Sequence, residues 1–348
     1  MNNLAKQSQQ LYRPWLTKVN HYLKTLKWSE KSNKDFNPFK VIVNKEISDH
    51  IRSWRFIILV AIIALTCLGS MYAGLTSIGD AIKHDKAEGG FIFLKLFTAS
   101  DGTLPSFFVF ISFLGPLLGL GLGFDAINSE QNRGTLSRVL AQPVHRDYLI
   151  NAKFIAAISV ISVMLFVLSF LVIGFGLIMI GIPPSAEEFL RIVLFTLLSI
   201  IYVAFWLNLS ILFSVRFRQS ATSALAGIAV WLFLTVFYPL IVNLITKIIV
   251  PSQTTPQQAF IYEKLKIGLM RILPNQLFTE ATTTLLVPSV RSLGPLTMER
   301  VYGTIPGPLP LGQSILLVWP QVTGLIAATI LCFVLSYVSF MRREIRSR

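Results

Sequence analysis

Six stretches of 19 or more residues contain no Asp, Glu, Lys, Arg or His: Phe56–Gly79, Ser106–Phe124, Phe154–Ala186, Ile192–Val215, Gln219–Thr246 and Val301–Met341. Each is apolar on every face, so neither the stripe of a surface helix nor the alternation of a barrel strand describes it. A hydrocarbon layer about 30 Å thick takes roughly 20 helical residues to cross, and every stretch supplies them. The last is too long for one crossing and opens in a Pro- and Gly-rich segment, which moves its membrane part to about Ser314. The pattern predicts an all-α polytopic membrane protein with six transmembrane helices, at about 56–78, 106–124, 154–182, 192–215, 221–246 and 314–340.

Outside these runs the pattern becomes amphipathic. Leu11, Tyr12, Trp15, Leu16, Val19, Tyr22, Leu23 and Leu26 recur at helical spacing, with Arg13, Lys18, Lys24 and Lys27 on the other side. No acidic residue precedes Glu30, so residues 1–36 read as a basic amphipathic extension suited to an anionic membrane surface. A polar break at Ser29–Asn37 separates it from residues 37–348, the six-span part. A second helix is predicted from the Asn37 cap and Pro38 through Ile42, Val43, Ile47 and Ile51, with Trp54 and the Arg52/Arg55 pair at the interface. Between the fifth and sixth spans, the segment 250–313 is predicted to hold two external helices, Pro256–Leu273 and Asn275–Leu286, followed by an irregular Pro- and Gly-rich stretch.

Composition supports this picture. Mean hydropathy is +0.63, and 14% of residues are charged, against about 25% in soluble domains. Charge then orients the chain. An even number of spans puts both termini on one side, together with segments 125–153 and 215–220. Those inner segments hold 21 of the 31 basic residues and 8 of the 17 acidic ones. By the positive-inside rule both termini are expected in the cytoplasm, in a bacterial cytoplasmic membrane. That rule accounts for nearly all of the +14 net charge, so no nucleic-acid partner is inferred. The first 55 residues are charged and the first apolar run is long, so no cleavable leader is expected.

The candidate chemistry is sparse. Cys67 and Cys332 both lie inside spans, and the four histidines are scattered outside them. Proton and ion pathways usually carry intramembrane charges, and these spans have none. Their polar groups, such as Tyr202, Asn208, Asn243 and Gln321, read as links between helices. No catalytic, cofactor or metal residue stands out. The chain has no Gly-Lys dipeptide, so no phosphate-binding loop of the G-x-x-x-x-G-K-[ST] type. Uphill transport would therefore draw its energy from another polypeptide.

The segment after the second span runs from Asp125 and Ile127 through Glu130, Arg133, Gly134-Thr135-Leu136, Arg138, Leu140, Pro143-Val144 and Arg146 to Lys153. The second span is expected to continue to about Arg133, with a positive φ at Gly134 ending it. Thr135 would cap a short helix to Gln142 that Pro143 stops, and Arg146 and Lys153 would anchor the return. This loop closely resembles that of the permease subunits of ATP-binding-cassette transporters of the type-2 (ABC-2) class. The entry segment Asn44-Lys45-Glu46-Ile47 through Arg52-Ser53-Trp54-Arg55-Phe56 resembles the family's elbow helix. The stretch Pro274-Asn275 through Phe278, Ala281, Leu285-Leu286 and Pro288 resembles the family's segment before the last span. The resemblance covers roughly residues 38–345; the amphipathic segment 1–36 departs from it.

The resemblance implies an exporter's permease subunit that is not itself an enzyme. Glu130, Arg133, Gly134, Thr135, Leu136, Arg138, Leu140, Pro143 and Arg146 would form a cytoplasmic coupling helix and its flanks, seated on a separate ABC ATPase subunit. ATP and magnesium would bind that ATPase, and no cofactor is expected in this chain. Lys45, Glu46, Arg52 and Arg55 would belong to the elbow helix, and a second permease subunit would complete a dimer. Membrane lipid is the remaining partner expected. Two other classes compete: a membrane scaffold or sensor anchoring a soluble complex, and an ion-coupled secondary transporter, which the uncharged spans oppose.

Overall fold

The computed structural model describes residues 37–83, 91–100, 104–136, 141, 145–250, 255–290 and 308–343; helices are numbered in chain order among these. The chain divides into two compact units, residues 1–42 and 43–348. Of the first unit, only 37–42 are described, and they open helix α1 (Pro38–Ile51). There the Asn37 side chain accepts the Phe39 amide at 3.1 Å and Pro38 occupies the first turn, as predicted. The amphipathic segment 1–36 lies outside the described residues. Everything below concerns the second unit.

That unit is all-helical among its described residues, and six of its helices are long and apolar enough to cross a membrane. In order they are α2 (Trp54–Lys83), then α4 (Phe107–Gly123) after a short α3 (Ile92–Thr98), then α6 (Arg146–Ile180) after a short α5 (Asn128–Asn132), and α7 (Ala186–Arg216). The fifth is composite: α8 (Ser220–Leu232), a π-turn at Phe233–Phe237 and α9 (Tyr238–Ile249). Pro239 lacks an amide hydrogen and crowds the carbonyl one turn back, which accounts for the widening just before it. Two further helices, α10 (Pro256–Met270) and α11 (Pro274–Leu286), precede α12 (Leu311–Met341). These two helices stand along the chain where the sequence put them, while most of Ser289–Gly312 lies outside the described residues.

Helix α7 is the axis. Over its most apolar window 72% of residues are buried, against 17% for the fifth span. Lipid tails are as apolar as leucine, so spans associate through close packing and interhelical hydrogen bonds rather than hydrophobic burial. Helix α4 supplies the close approach. A Cβ on Gly119 would lie 2.7 Å from the Val203 carbonyl oxygen, and one on Gly123 would lie 2.8 Å from Ser210 Cβ. These glycines are four apart and share a face of α4, so α4 and α7 pack nearly backbone to backbone. Polar groups complete the bundle. Tyr202 donates to the Ser112 carbonyl at 2.9 Å, Asn208 to the Thr329 carbonyl at 3.3 Å, and Gln321 to Glu280 at 3.0 Å. The reading of these three as links between helices is thereby met; Asn243 has no such side-chain bond among the described residues.

At the end of the bundle away from α1, charged groups do the same work. Gly181 closes α6 with φ of 77°, and Ser185 opens α7 in a capping box with Glu188. Glu188 also accepts the Phe93 amide at 2.9 Å, which docks α3 against α7. One turn on, Arg191 is fully buried and binds groups from α11, the start of α12 and the Leu309 carbonyl just before it.

Candidate functional site

The site is built where α4 leaves the bundle. Helix α4 stops at Gly123 instead of continuing to Arg133; a turn at Phe124–Ile127 intervenes before α5. The interruption has a donor-side cause. The Ile127 and Asn128 amides, unpaired at a new helix start, both donate to the Ser214 hydroxyl at the end of α7, at 2.9 and 3.2 Å. Ser220 then donates to Asn128 Oδ1 at 2.9 Å, and Asn132 Nδ2 to the Arg218 carbonyl at 3.0 Å. The loop is therefore stitched to the short connection between the fourth and fifth spans. Nothing in the sequence marked Ser214 or Ser220, because a serine near a span end is commonplace.

The charged residues of the loop meet those of α1. Lys153 is 5% exposed. Its ammonium lies 3.0 Å from Glu46 Oε2 on α1 and 2.8 Å from Glu130 Oε1 on α5. Lys45 adds a 2.9 Å contact to Glu46, 3.1 Å to Asp49 and 3.8 Å to Glu130. A second bridge is independent of it: Arg55 pairs with Asp125 at 2.7 Å, its guanidinium 5.0 Å from the centre of the Phe124 ring. Between these bridges lies a cavity of about 540 Å³, with Glu46, His50, Arg55, Asp125, Arg133 and Lys153 on its walls. The sequence pattern contained Lys153 only as a head-group anchor; its partners on α1, more than a hundred residues away along the chain, were not legible.

The other candidate residues divide. Gly134 has φ of +67°, the positive angle expected of a helix-ending glycine. Arg133 is exposed. Thr135 is not an N-cap: its hydroxyl donates to the Glu130 carbonyl at 3.2 Å while its own residue is already helical. Leu136, placed above among the residues seated on the ATPase, is 3% exposed and packs within the chain. Arg146 donates to the Phe340 and Arg343 carbonyls at 2.8 and 2.5 Å, and so caps the C-terminal end of α12. Arg52 is exposed and forms no ion pair among the described residues. Arg138, Leu140 and Pro143 lie outside the described residues. Among the described residues no group of His, Cys, Asp and Glu is arranged to hold a metal ion.

A six-span bundle with a braced loop of this kind has a counterpart in known sequences. The pattern of the ABC-2 family transporter proteins matches residues 40–345. The chain belongs to the ABC-2 transporter family. Two relatives are each named "probable ABC transporter permease protein NosY". The one from Pseudomonas aeruginosa (strain PAO1) is 25% identical over 205 residues, covering 57% of this chain and 67% of the relative. The one from Stutzerimonas stutzeri is 26% identical over 207 residues, covering 56% of this chain and 66% of the relative. With its six apolar helices, this ABC-2 chain is a multi-pass membrane protein.

The α1 brace is expected to weaken in acid. Burial alone would push the Glu46 carboxyl up, but the Lys153 charge and hydrogen bonds from Lys45 and Lys153 outweigh it and hold Glu46 below its ordinary 4.5. For His50 burial is the largest influence and lowers it below 6.5; Glu46, Asp125 and Asp49 oppose that, and Lys153 reinforces it. Both groups have depressed values in the folded chain, so both contributions are complete above the unfolded values and are lost as pH falls. Lys45 is raised above 10.5: burial opposes its charge, but Glu46, Asp49 and Glu130 more than compensate, so its contribution persists until strongly alkaline pH. Amide exchange in α1, corrected for intrinsic rate, is expected to accelerate between pH 7 and pH 5.5 in this ABC-2 protein. His50→Gln should remove that first step. Exchange that stays flat in the parent over this window would exclude the acid-sensitive brace.

Proposed function

We propose that this chain is the permease subunit of an ATP-driven exporter, with residues 130–143 as the element on which a separate ATPase acts. Residues 37–348 would form the six-span permease domain, and 1–36 an extension lying on the membrane surface. Both termini and the 130–143 loop face the cytoplasm of a bacterial cell, and a second permease subunit completes the path. ATP and magnesium belong to the ATPase. The bracing of the inner loop carries the reading. Lys153 joins α5 to α1 and α6, and the Ser214, Ser220 and Arg218 contacts join it to the fourth and fifth spans. A push on this loop is thereby delivered to several spans at once, which a solvated connection could not do. The names carried by the two relatives point the same way.

In this mechanism ATP binding closes the ATPase, the loop moves, and the ionic brace passes the displacement to α1 and α6. Arg133 is the test residue, because it is exposed and its replacement leaves the chain's own packing intact. Leu136 is unsuitable, since a charge there would be buried inside the permease itself. Arg133→Glu is expected to reduce copurification of the ATPase and substrate-stimulated hydrolysis at least fivefold, with normal insertion. Gly134→Val should impair hydrolysis through backbone strain alone, because a Cβ there meets nothing within 4 Å, and costs on the order of 1 kcal/mol. Gly134→Asn, which tolerates positive φ, should retain more activity. If Arg133→Glu binds and stimulates the ATPase like the parent, this loop is not the docking element.

A further inference from the structure

A second cavity, of about 370 Å³, lies between α1, the start of α2 and the middle of α6. Ile47 and Ile51 of α1, Phe56 and Val60 of α2, and Val163 and Val167 of α6 bound it. Ser159 is its one polar side chain, and its hydroxyl already donates to the Ile155 carbonyl at 2.6 Å. The wall is thus apolar. Its α6 side runs from Ser159 to Leu168, and nine steps of about 1.5 Å make roughly 13–14 Å. That is close to half of a hydrocarbon layer about 30 Å thick. The groove is open on one side: Ile51, Val163 and Val167 are 52%, 64% and 57% exposed. On a soluble protein such a slot would be a liability. On a chain whose α2 and α6 cross a membrane, its open side faces acyl chains.

A cation lies next in sequence to the slot-lining Ile51. Arg52 directly follows Ile51, is exposed, and has no ion pair among the described residues. Trp54, 77% exposed, follows at the start of α2, where an indole suits the head-group level. The other basic groups of this corner, Lys45, Arg55 and Lys153, are already engaged with carboxylates. Among the described residues Arg52 has no carboxylate partner and follows directly on the slot-lining Ile51, so it is placed to meet an anion.

We infer that this groove is a binding site for one anionic phospholipid of the adjoining leaflet, with an acyl chain between α1 and α6 and its phosphate on Arg52. The site does not depend on the transport reading, since it requires only that α2 and α6 span a bilayer.

The probes are phosphatidylglycerol and phosphatidylcholine, added to the detergent-purified full chain, with retained lipid counted by native mass spectrometry. The parent is expected to hold one phosphatidylglycerol in preference to phosphatidylcholine by about fivefold, the equivalent of the ~1 kcal/mol that one arginine contributes near an anionic surface. Arg52→Gln should abolish the preference while leaving some binding of both lipids. Val163→Trp, which fills the slot, should remove the tightly held lipid of either kind. Leu316→Trp is the control, a tryptophan at another lipid-facing position that is 76% exposed, and it should bind like the parent. Elution volume and melting temperature confirm that each variant is folded; if Val163→Trp is not, Val167→Phe replaces it. The inference is overturned if the groove-filling variant retains phosphatidylglycerol like the parent, or if the parent shows no preference between the two lipids. It is equally overturned if lipid binds only after residues 1–30 are deleted, which would assign the groove to the chain's own N-terminal segment.

Discussion

Lys153→Met is expected to unfold the end of the bundle where α1, α5 and α6 meet at a markedly lower temperature than the parent. The ammonium is the common partner of Glu46 and Glu130, at 3.0 and 2.8 Å, and it is nearly buried. Removing it leaves two carboxylates in a poorly solvated corner without their main counter-charge. Breaking a buried pair in this way costs about 3–5 kcal/mol, because the surviving ion keeps its desolvation penalty. Two companion measurements separate this cause from simple loss of packing. Lys153→Met combined with Glu46→Gln and Glu130→Gln should recover most of the lost stability, since the uncompensated charges go with the lysine. The single variant should also become relatively more stable on mild acidification, the reverse of the parent, because protonating a carboxylate relieves it. Thermal unfolding in detergent across pH 5.5–7.5 reads both effects. A Lys153→Met protein that melts with the parent at pH 7.5 would remove the ionic brace as a structural element.

The second large effect lies at the opposite end, at Arg191. Its guanidinium is fully buried and makes contacts in several directions. One nitrogen donates to the Leu285 carbonyl at 2.9 Å and to Ser314 at 3.2 Å; another donates to the Leu309 carbonyl at 2.6 Å and to Glu187 at 2.8 Å. A planar fork can serve acceptors on both of its sides at fixed separation, whereas a lysine ammonium is a single point. Arg191→Lys is therefore expected to be far from neutral, and Arg191→Met to cost about 1–3 kcal/mol, chiefly by leaving the buried carbonyls without a donor, since Glu187 is partly exposed. Both variants should cleave faster at the α11–α12 connection under limited proteolysis. Parent-like melting and cleavage of Arg191→Lys would show that charge alone suffices there.

Much of the fold was legible because lipid imposes a simple rule: a charge-free run of about 20 residues is a span. The same rule misplaces ends. Helix α6 begins at Arg146, eight residues before the charge-free run starts at Phe154, because a helix does not need apolar residues to continue beyond the bilayer. Helix α4 errs the other way and ends early, since the Ser214 hydroxyl offers its following amides an alternative partner. The candidate site was legible as residue types and less so as contacts. Gly134 announced its positive φ through being glycine in a helix-ending context. Glu46 and Glu130 were visible as charges, but their sharing of Lys153 depends on how α1 and α6 pack, and no local spacing encodes that. Leu136 was misjudged because an apolar residue in a loop has the same signature whether it faces a partner or its own core.

The burial of α7 bears on the order in which the membrane protein is put together. A span that is 72% buried over its most apolar window, and that carries Arg191, Asn208 and a series of serines, is the least suited of the six to stand alone in lipid. It is synthesised before its chief neighbour α12, whose Ser314 and Thr329 carbonyl complete those polar groups. Until α12 enters, Arg191 and Asn208 of α7 lack these partners, so the polar side of α7 is satisfied only late in assembly.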